Sequence, residues 1–299
     1  MVEKVVTHRS PRHSDDFFAL CLVKIFYKNV SIEEISLQDS RIPEFLNRKD
    51  VMLIDVGRDY NVELLNFDHH HNPELSCSLV LVADYFGLKL DGEFVRGIDY
   101  VDRFGPLEGL KKAGIKSFWN DDLDRMRKTI ILSEPTEDLG MVFLETCVKK
   151  LPYTLSWIEL FNEADKRGLL SKGKDAIEKE EKEFARKLSQ VKIFEVDGLR
   201  VIYSPESLAP SHSKVLKLLD GHIIIEPDAI NEGKTAIVKN TVNPFSKYLD
   251  LSNVFNLYPK VFLHNTGFIA VVDVKISDVS IDDIIMALNG EYPRVNVKI

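Results

Sequence analysis

The 299-residue chain carries 39 Lys and Arg against 47 Asp and Glu, a formal net charge of -8, with 44% hydrophobic and 29% charged residues. That balance describes a soluble globular chain long enough for two domains. It excludes an intrinsically disordered chain and a general nucleic-acid scaffold coated in basic residues. Cys21, Cys77 and Cys147 form no CxxC pair, so neither a disulfide framework nor a zinc–cysteine site is expected, and the expected location is the reducing cytoplasm. The N-terminal MVEKVVTHRSPRH lacks the apolar core of a signal peptide. No apolar run approaches the roughly 18 residues that span a bilayer, so no membrane partner is expected.

In chain order, "EKVVTH" reads as a strand, "RSPRHS" as a loop and "DDFFALCLVKIFY" as a helix with two acids in its first turn, where they suit the positive end of the helix dipole. "NVSIEEIS" reads as a second strand and "RIPEFLNR" as a short helix. "VMLIDVG" is a near-continuous apolar run, as expected of a parallel strand covered on both faces. "CSLVLVADYFG" reads as a helix with Gly87 past its end. Strands alternating with helices predict a doubly wound parallel sheet in an α/β domain, with ligands at the carboxyl ends of the strands, where His8 and Asp55 fall.

From about residue 92 to 190 the pattern is mostly helical, and "KDAIEKEEKEFARKLSQ" reads as a solvated connecting helix with thin apolar spacing at Ile177, Phe184 and Leu188. The texture then turns β-rich. Two β-runs flank Asp197-Gly198, a hairpin signal, and "IDDIIMALNG" closes the chain as a helix. The expected domains are residues 1–190, with the metal-binding chemistry and the helical connector, and 191–299, a smaller α/β domain.

Four separated places combine imidazole and carboxylate: His8, His13, Asp15 and Asp16 in "THRSPRHSDD"; Asp55; Asp68 to His71 in "FDHHH"; and Asp99 and Asp102 in "GIDYVDRFG". Each alone has an ordinary explanation. Asp15 and Asp16 suit a helix start, Asp55 a turn, the His run a solvated loop, and Asp99 with Asp102 an exposed helix face. Together they offer the mixed ligands that suit Mn, Zn or Fe. Two metal ions about 3.5–4 Å apart need about this many ligands and one bridging carboxylate.

The order of these motifs resembles the DHH phosphoesterase superfamily, and within it the Myg exonuclease family. The matching segments are "THRSPRHSDD", "IDVGRDYNVELLNFDHHH", the Trp119-Asn120-Asp121 triplet and "FLHNTGFI" at residues 262–269. Asp16 stands where that family has Glu, His71 where Gln is common, and Ala270-Val271 where a Gly pair follows. The resemblance implies a DHH-type domain, a helical region and a smaller C-terminal α/β domain, with the active site in the interdomain cleft. His8 and His13 would hold a first metal, Asp55 would bridge, and Asp15, His69 and Asp102 would complete the second, with Asp99 as the alternative to Asp102. Asp68 would orient an imidazole, His70 would face the phosphate, and His71 would have no essential role. Two Mn2+ ions are implied, with Mg2+ possible.

The implied activity is that of a hydrolase: a phosphodiesterase, specifically a 3′-5′ exonuclease on RNA or short oligonucleotides. The alternatives are a manganese-dependent inorganic pyrophosphatase, against which His70 counts because those proteins tend to have Asn there, and a non-catalytic metal-binding regulator. In the second domain, His264, Asn265 and Gly267 are expected to clamp phosphate or sugar across the interdomain gap. Lys214, Lys217, Lys239 and Lys247 would supply local positive charge, and residues 160–190 would support a hinge.

Overall fold

The computed structural model describes residues 2–9, 12–116, 120–264 and 267–290. The chain divides into two compact units, Met1–Lys179 and Glu180–Ile299, and the division falls inside a helix rather than at residue 190.

The first unit opens with β1 (Lys4–His8), α1 (Ser14–Phe26), β2 (Ser31–Ile35), α2 (Ile42–Phe45), β3 (Val51–Ile54), the two-residue strands β4 (Tyr60–Asn61) and β5 (Asn66–Phe67), and α3 (Ser78–Tyr85). The sheet order is β2-β1-β3-β5-β4. β1, β2, β3 and β5 run parallel, and β4 is an antiparallel edge that the apolar pattern of the sequence does not announce. Both faces of the sheet are covered, and β3 shows how its run of apolar residues divides. Met52 and Ile54 join the cluster of Phe17, Phe18 and Leu79, while Val51 and Leu53 join Val6, Ile35 and Phe45 of α2 on the opposite face.

Six helices follow: α4 (Glu93–Phe104), α5 (Pro106–Lys112), α6 (Asp121–Ile131), α7 (Glu137–Val148), α8 (Tyr153–Lys166) and α9 (Ser171–Leu188). α4, α6, α7 and α8 pack against α1, which is apolar on nearly every side and buried from Asp15 to Val23. Phe18 stacks on Phe143 with ring centroids 4.3 Å apart, and Trp157 meets Phe94 edge-on at 5.1 Å. Truncating a ring so enclosed costs about 3–5 kcal/mol. Gly140 of α7 lies so close to α1 that a Cβ there would come within 2.8 Å of the Cys21 carbonyl oxygen. This glycine therefore sets the distance between the two helices, and through it the position of the first turn of α1. All three cysteines are buried and unpaired.

The second unit takes the end of α9, then β6 (Lys192–Val196), β7 (Leu199–Tyr203), α10 (His212–Leu218), β8 (Ile223–Pro227), β9 (Thr235–Lys239), β10 (Lys260–Leu263), β11 (Ile269–Val272) and α11 (Ile281–Leu288). Its sheet order is β10-β11-β9-β8-β7-β6, with only β7 and β8 parallel. Asp197 and Gly198 turn the β6–β7 hairpin with φ of 51° and 76°, the two positive values that a tight hairpin turn requires. Val201, Ile223 and Ile225 pack with Ile284 and Ile285 of α11 on one face; Ile202, Ile224 and Val238 pack with Val215 and Leu216 of α10 and with Phe184 and Leu188 on the other. The apolar positions of the charged helix α9 are therefore anchors, while most of its surface is exposed. Among the described residues, no helix is long and apolar enough to cross a membrane.

Candidate metal centre

Strand register builds the site. Thr7 pairs with Ile54, and Ile54 with Phe67, so His8, Asp55 and Asp68 emerge side by side at the carboxyl edge of three adjacent strands. The chain turns sharply at Asp55, whose φ of 57° is left-handed. That conformation is uncommon outside glycine, and strain of this kind gathers at functional positions. Opposite the strand ends stands the first turn of α1. His13 precedes the helix, and Asp15 and Asp16 are fully buried in it rather than solvated as ordinary capping acids. The positive end of the helix dipole offsets part of the cost of burying them. Asp102 enters from the last turn of α4, which Gly105 ends.

These side chains converge. His8 Nε2 lies 3.3 Å from Asp55 Oδ2 and 3.5 Å from Asp16 Oδ2. His69 Nε2 lies 2.9 Å from Asp102 Oδ2 and 3.4 Å from Asp55 Oδ1. His13 Nδ1 lies 3.3 Å from Asp102 Oδ1, and His70 Nδ1 lies 3.5 Å from Asp55 Oδ1. Three groups have ligand atoms all within 4.8 Å of one another: His8, His13 and Asp55; Asp55, His69 and His70; and His13, Asp15 and Asp102. Asp55 and His13 each belong to two groups. The second set expected from the resemblance, Asp15, His69 and Asp102, is divided between these groups: Asp15 and Asp102 group with His13, and His69 groups with Asp55 and His70.

Carboxylates and imidazoles packed together out of water shift one another strongly. Burial, with Asp55 and Asp102 nearby, pushes Asp15 well above the ordinary carboxylate range, and burial raises Asp16 to about 7. Burial also raises Asp55, but the adjacent His69 and His8 imidazoles carry it below its usual value. Asp102, likewise raised by burial, is brought to about 2 by His13 and His69. Asp55 lifts His8 to about 9; for His69, Asp102 and Asp55 outweigh burial and lift it to about 10.

The donor set fits divalent cations. His8 Nε2, Asp15 Oδ1, both Asp16 oxygens, Asp55 Oδ2, His69 Nε2 and Asp102 Oδ2 are all buried with no hydrogen-bond partner of acceptable geometry. Buried polar atoms are normally paired, so several such atoms aimed at one another are best explained by cations between them. Mixed imidazole and carboxylate donors suit Mn2+ and its neighbours.

The surrounding residues hold this set in place. Asp68 accepts hydrogen bonds from the His70 backbone N–H at 2.9 Å, from His70 Nδ1 at 2.8 Å and from the Arg58 N–H at 2.7 Å. Ser78, at the start of α3, donates its hydroxyl to Asp55 Oδ1 at 3.1 Å and its N–H to Asp15 Oδ2 at 3.2 Å. Asp99 faces elsewhere, accepting from the Cys77 N–H at 2.6 Å and Arg103 Nη1 at 3.2 Å. His71 is exposed and belongs to none of the three groups. Sequence reasoning did not assign Asp16 or Ser78 to the site. Asp16 carried the signal of its neighbours, but Ser78 sits in an apolar helix with none.

Other expected site residues fall in different places. Asn120 caps α6, accepting from the Leu123 N–H at 2.8 Å. Trp119 and Asn265 lie outside the described residues. His264 and Gly267 belong to the β10–β11 turn, where the Gly267 N–H donates to the His264 carbonyl at 2.7 Å. Lys214 lies over the Phe184 ring and Lys239 donates to the Leu249 carbonyl, so both have partners within their own unit.

Residues 4–75 match the model of a family described as an uncharacterised protein family, UPF0160, under the label MYG1_exonuc. That segment contains His8, His13, Asp15, Asp55 and the Asp68–His71 run. No curated protein matches the chain. Seven chains of solved structure match. One is a pGpG-specific phosphodiesterase, PggH, of Vibrio cholerae, 14% identical over 93% of this chain and 94% of that chain, with a TM-score of 0.45.

Proposed function

We propose that the chain is a hydrolase, a metal-dependent phosphodiesterase that acts as a 3′-5′ exonuclease on RNA or short oligonucleotides, with Mn2+ preferred and Mg2+ able to substitute. The observation that supports this most is the convergence of unpartnered buried oxygens and ring nitrogens from α1, α4 and the ends of three strands. The family match over residues 4–75 points the same way.

Two cations held by His8, His13, Asp15, Asp55, His69 and Asp102 would supply an acidified water for in-line attack on phosphorus and neutralise charge on the phosphoryl oxygens. Asp55 shares its carboxylate between ligand groups, and Ser78 fixes its orientation. Asp68 engages Nδ1 of His70 and raises its pKa, which favours the protonated ring, whose Nε2–H can donate to a phosphate oxygen. Burial pushes the thiols up, to about 12 for Cys21 and Cys147, so no cysteine offers a thiolate nucleophile. In the second unit, His264, Asn265 and Gly267 are proposed to contact substrate phosphate or sugar.

A panel of RNA dinucleotides, longer single strands and inorganic pyrophosphate, each with Mn2+, Mg2+ or chelator, tests this reading. Release of mononucleotides that requires metal supports it. Turnover of pyrophosphate alone would make the protein a pyrophosphatase, and bound metal without turnover of anything would make it a regulator.

A further inference from the structure

A cavity of about 300 Å3 opens beside the metal centre and lies wholly within the first unit. His13 and Asp102 form one side of it, and they are two members of one ligand group. The other walls are mostly apolar: Ile98 and Val101 from α4, Pro106 at the start of α5, and the buried ring of Tyr153 from α8. Arg127 of α6 completes the lining, with its Nη2 held 3.1 Å from Asp124 Oδ1. The sequence reading assigned none of these four walls or Arg127 to the site.

An apolar chamber that opens on a phosphate-activating centre is suited to a flat, weakly hydrated group attached to that phosphate. Small-ligand sites have this composition, mainly apolar and aromatic walls with a few polar groups to fix orientation. The cavity on another side, lined by His8, Arg9, Ile35, Ser36, Leu37, Gln38 and His70, is larger, at about 580 Å3, and more open to solvent. The two flanks therefore differ in size and in openness, as the two sides of a cleaved phosphodiester would if one nucleoside were enclosed and the rest of the strand stayed in solvent.

We propose that the chamber bounded by Ile98, Val101, Pro106 and Tyr153 is the subsite for the nucleobase of the nucleotide being released. This rests on the phosphodiesterase reading and adds to it the residues that receive the terminal base. Stacking of a base on aromatic and apolar walls tolerates any sequence, because every base has a π-face. The Arg127 guanidinium and the His13 imidazole at the rim offer hydrogen bonds that fix orientation.

The test is calorimetric binding of adenosine 5′-monophosphate and ribose 5-phosphate to the full chain loaded with Mn2+, which needs no turnover. The base should improve binding by about tenfold. Val101→Phe, which fills the chamber, should reduce that ratio to less than about twofold, and Val101→Met, a milder filling, should give an intermediate ratio. Thermal melts establish that each variant is folded. Equal binding of the two ligands by the unmodified chain would overturn the subsite, as would a ratio that survives both substitutions. Base-dependent binding in a chain that cleaves no phosphodiester would leave the subsite standing and remove the exonuclease reading instead.

Discussion

Asp102 Oδ2 lies 2.9 Å from His69 Nε2, which joins the last turn of α4 to the loop that follows β5. Asp99, one helical turn earlier, makes no such contact and is committed to the Cys77 N–H and Arg103. Two carboxylates three residues apart therefore have different tasks. Asp102→Asn should lower metal occupancy and activity together. Asp99→Asn should leave the metal in place and cost about 1–3 kcal/mol of stability, the range for weakening charged hydrogen bonds. Anomalous scattering at the metal edge decides between them, and an ion nearer Asp99 than Asp102 would reverse the assignment.

Removing the metal should make stability depend on pH in a defined direction. In the folded chain His8 and His69 are raised to about 9 and about 10, from an ordinary value of about 6.5. A base raised on folding contributes stability that is fully present below the unfolded value and is lost as pH rises through the folded one. Asp16, raised to about 7, also binds a proton on folding, so its contribution is lost at lower pH in the same direction. The melting temperature of chelator-treated protein should fall from about pH 6.5 to about pH 10. The Mn2+-loaded protein should show little of that fall, since metal binding needs deprotonated ligands. A flat or rising profile for the metal-free protein contradicts the pairing of these imidazoles with Asp55 and Asp102.

Asp68 touches none of the proposed ligand atoms in the distances above, yet it holds both the ring and the backbone of His70. Asp68→Asn should keep bound metal and lower kcat by about 10–100-fold, the range for losing a partner that orients a site imidazole. It should also lower the pKa of His70, visible by NMR titration of its ring protons. An unchanged titration would mean that Asp68 serves only the Arg58 N–H and the loop.

The second unit is tested at His264. Its ring sits 4.3 Å from that of Phe268 by centroid, in a turn also closed by the Gly267 N–H. If the imidazole contacts phosphate, His264→Ala should raise KM by an amount equivalent to about 1–3 kcal/mol, with bound Mn2+ unchanged. An unaltered KM would assign the residue to the turn alone, and lost metal would place it in the centre itself.

Much of the site could be read before the fold was known, for a physical reason. His8 and Asp55 end apolar runs that can only be buried parallel strands, and such strands present their carboxyl ends to ligands. The motif that begins at Asp68 was visible as chemistry, but its strand was not: β5 is only Asn66–Phe67, too short for a periodic signal. Asp16 was weighed as a capping acid because the first turn of a helix favours acids in any protein; only its complete burial beside His8 distinguishes it. Ser78 gave no local signal, since its role depends on the distance between α1 and α3. The sheet order of the second unit was hidden for a similar reason. The β9–β11 and parallel β7–β8 pairings join strands distant in sequence, and the local pattern does not set them.

The central claim is that one carboxylate, Asp55, serves a pair of metal ions that cleave phosphodiesters. The most direct measurement is hydrolysis of an RNA dinucleotide by the full chain and by Asp55→Asn, with bound manganese quantified in the same samples. The account predicts about two ions per chain and chelator-sensitive release of mononucleotide, with a loss of at least about 100-fold in activity and of bound metal in the variant. An Asp55→Asn protein that cleaves the dinucleotide at the unmodified rate with its metal retained would contradict it.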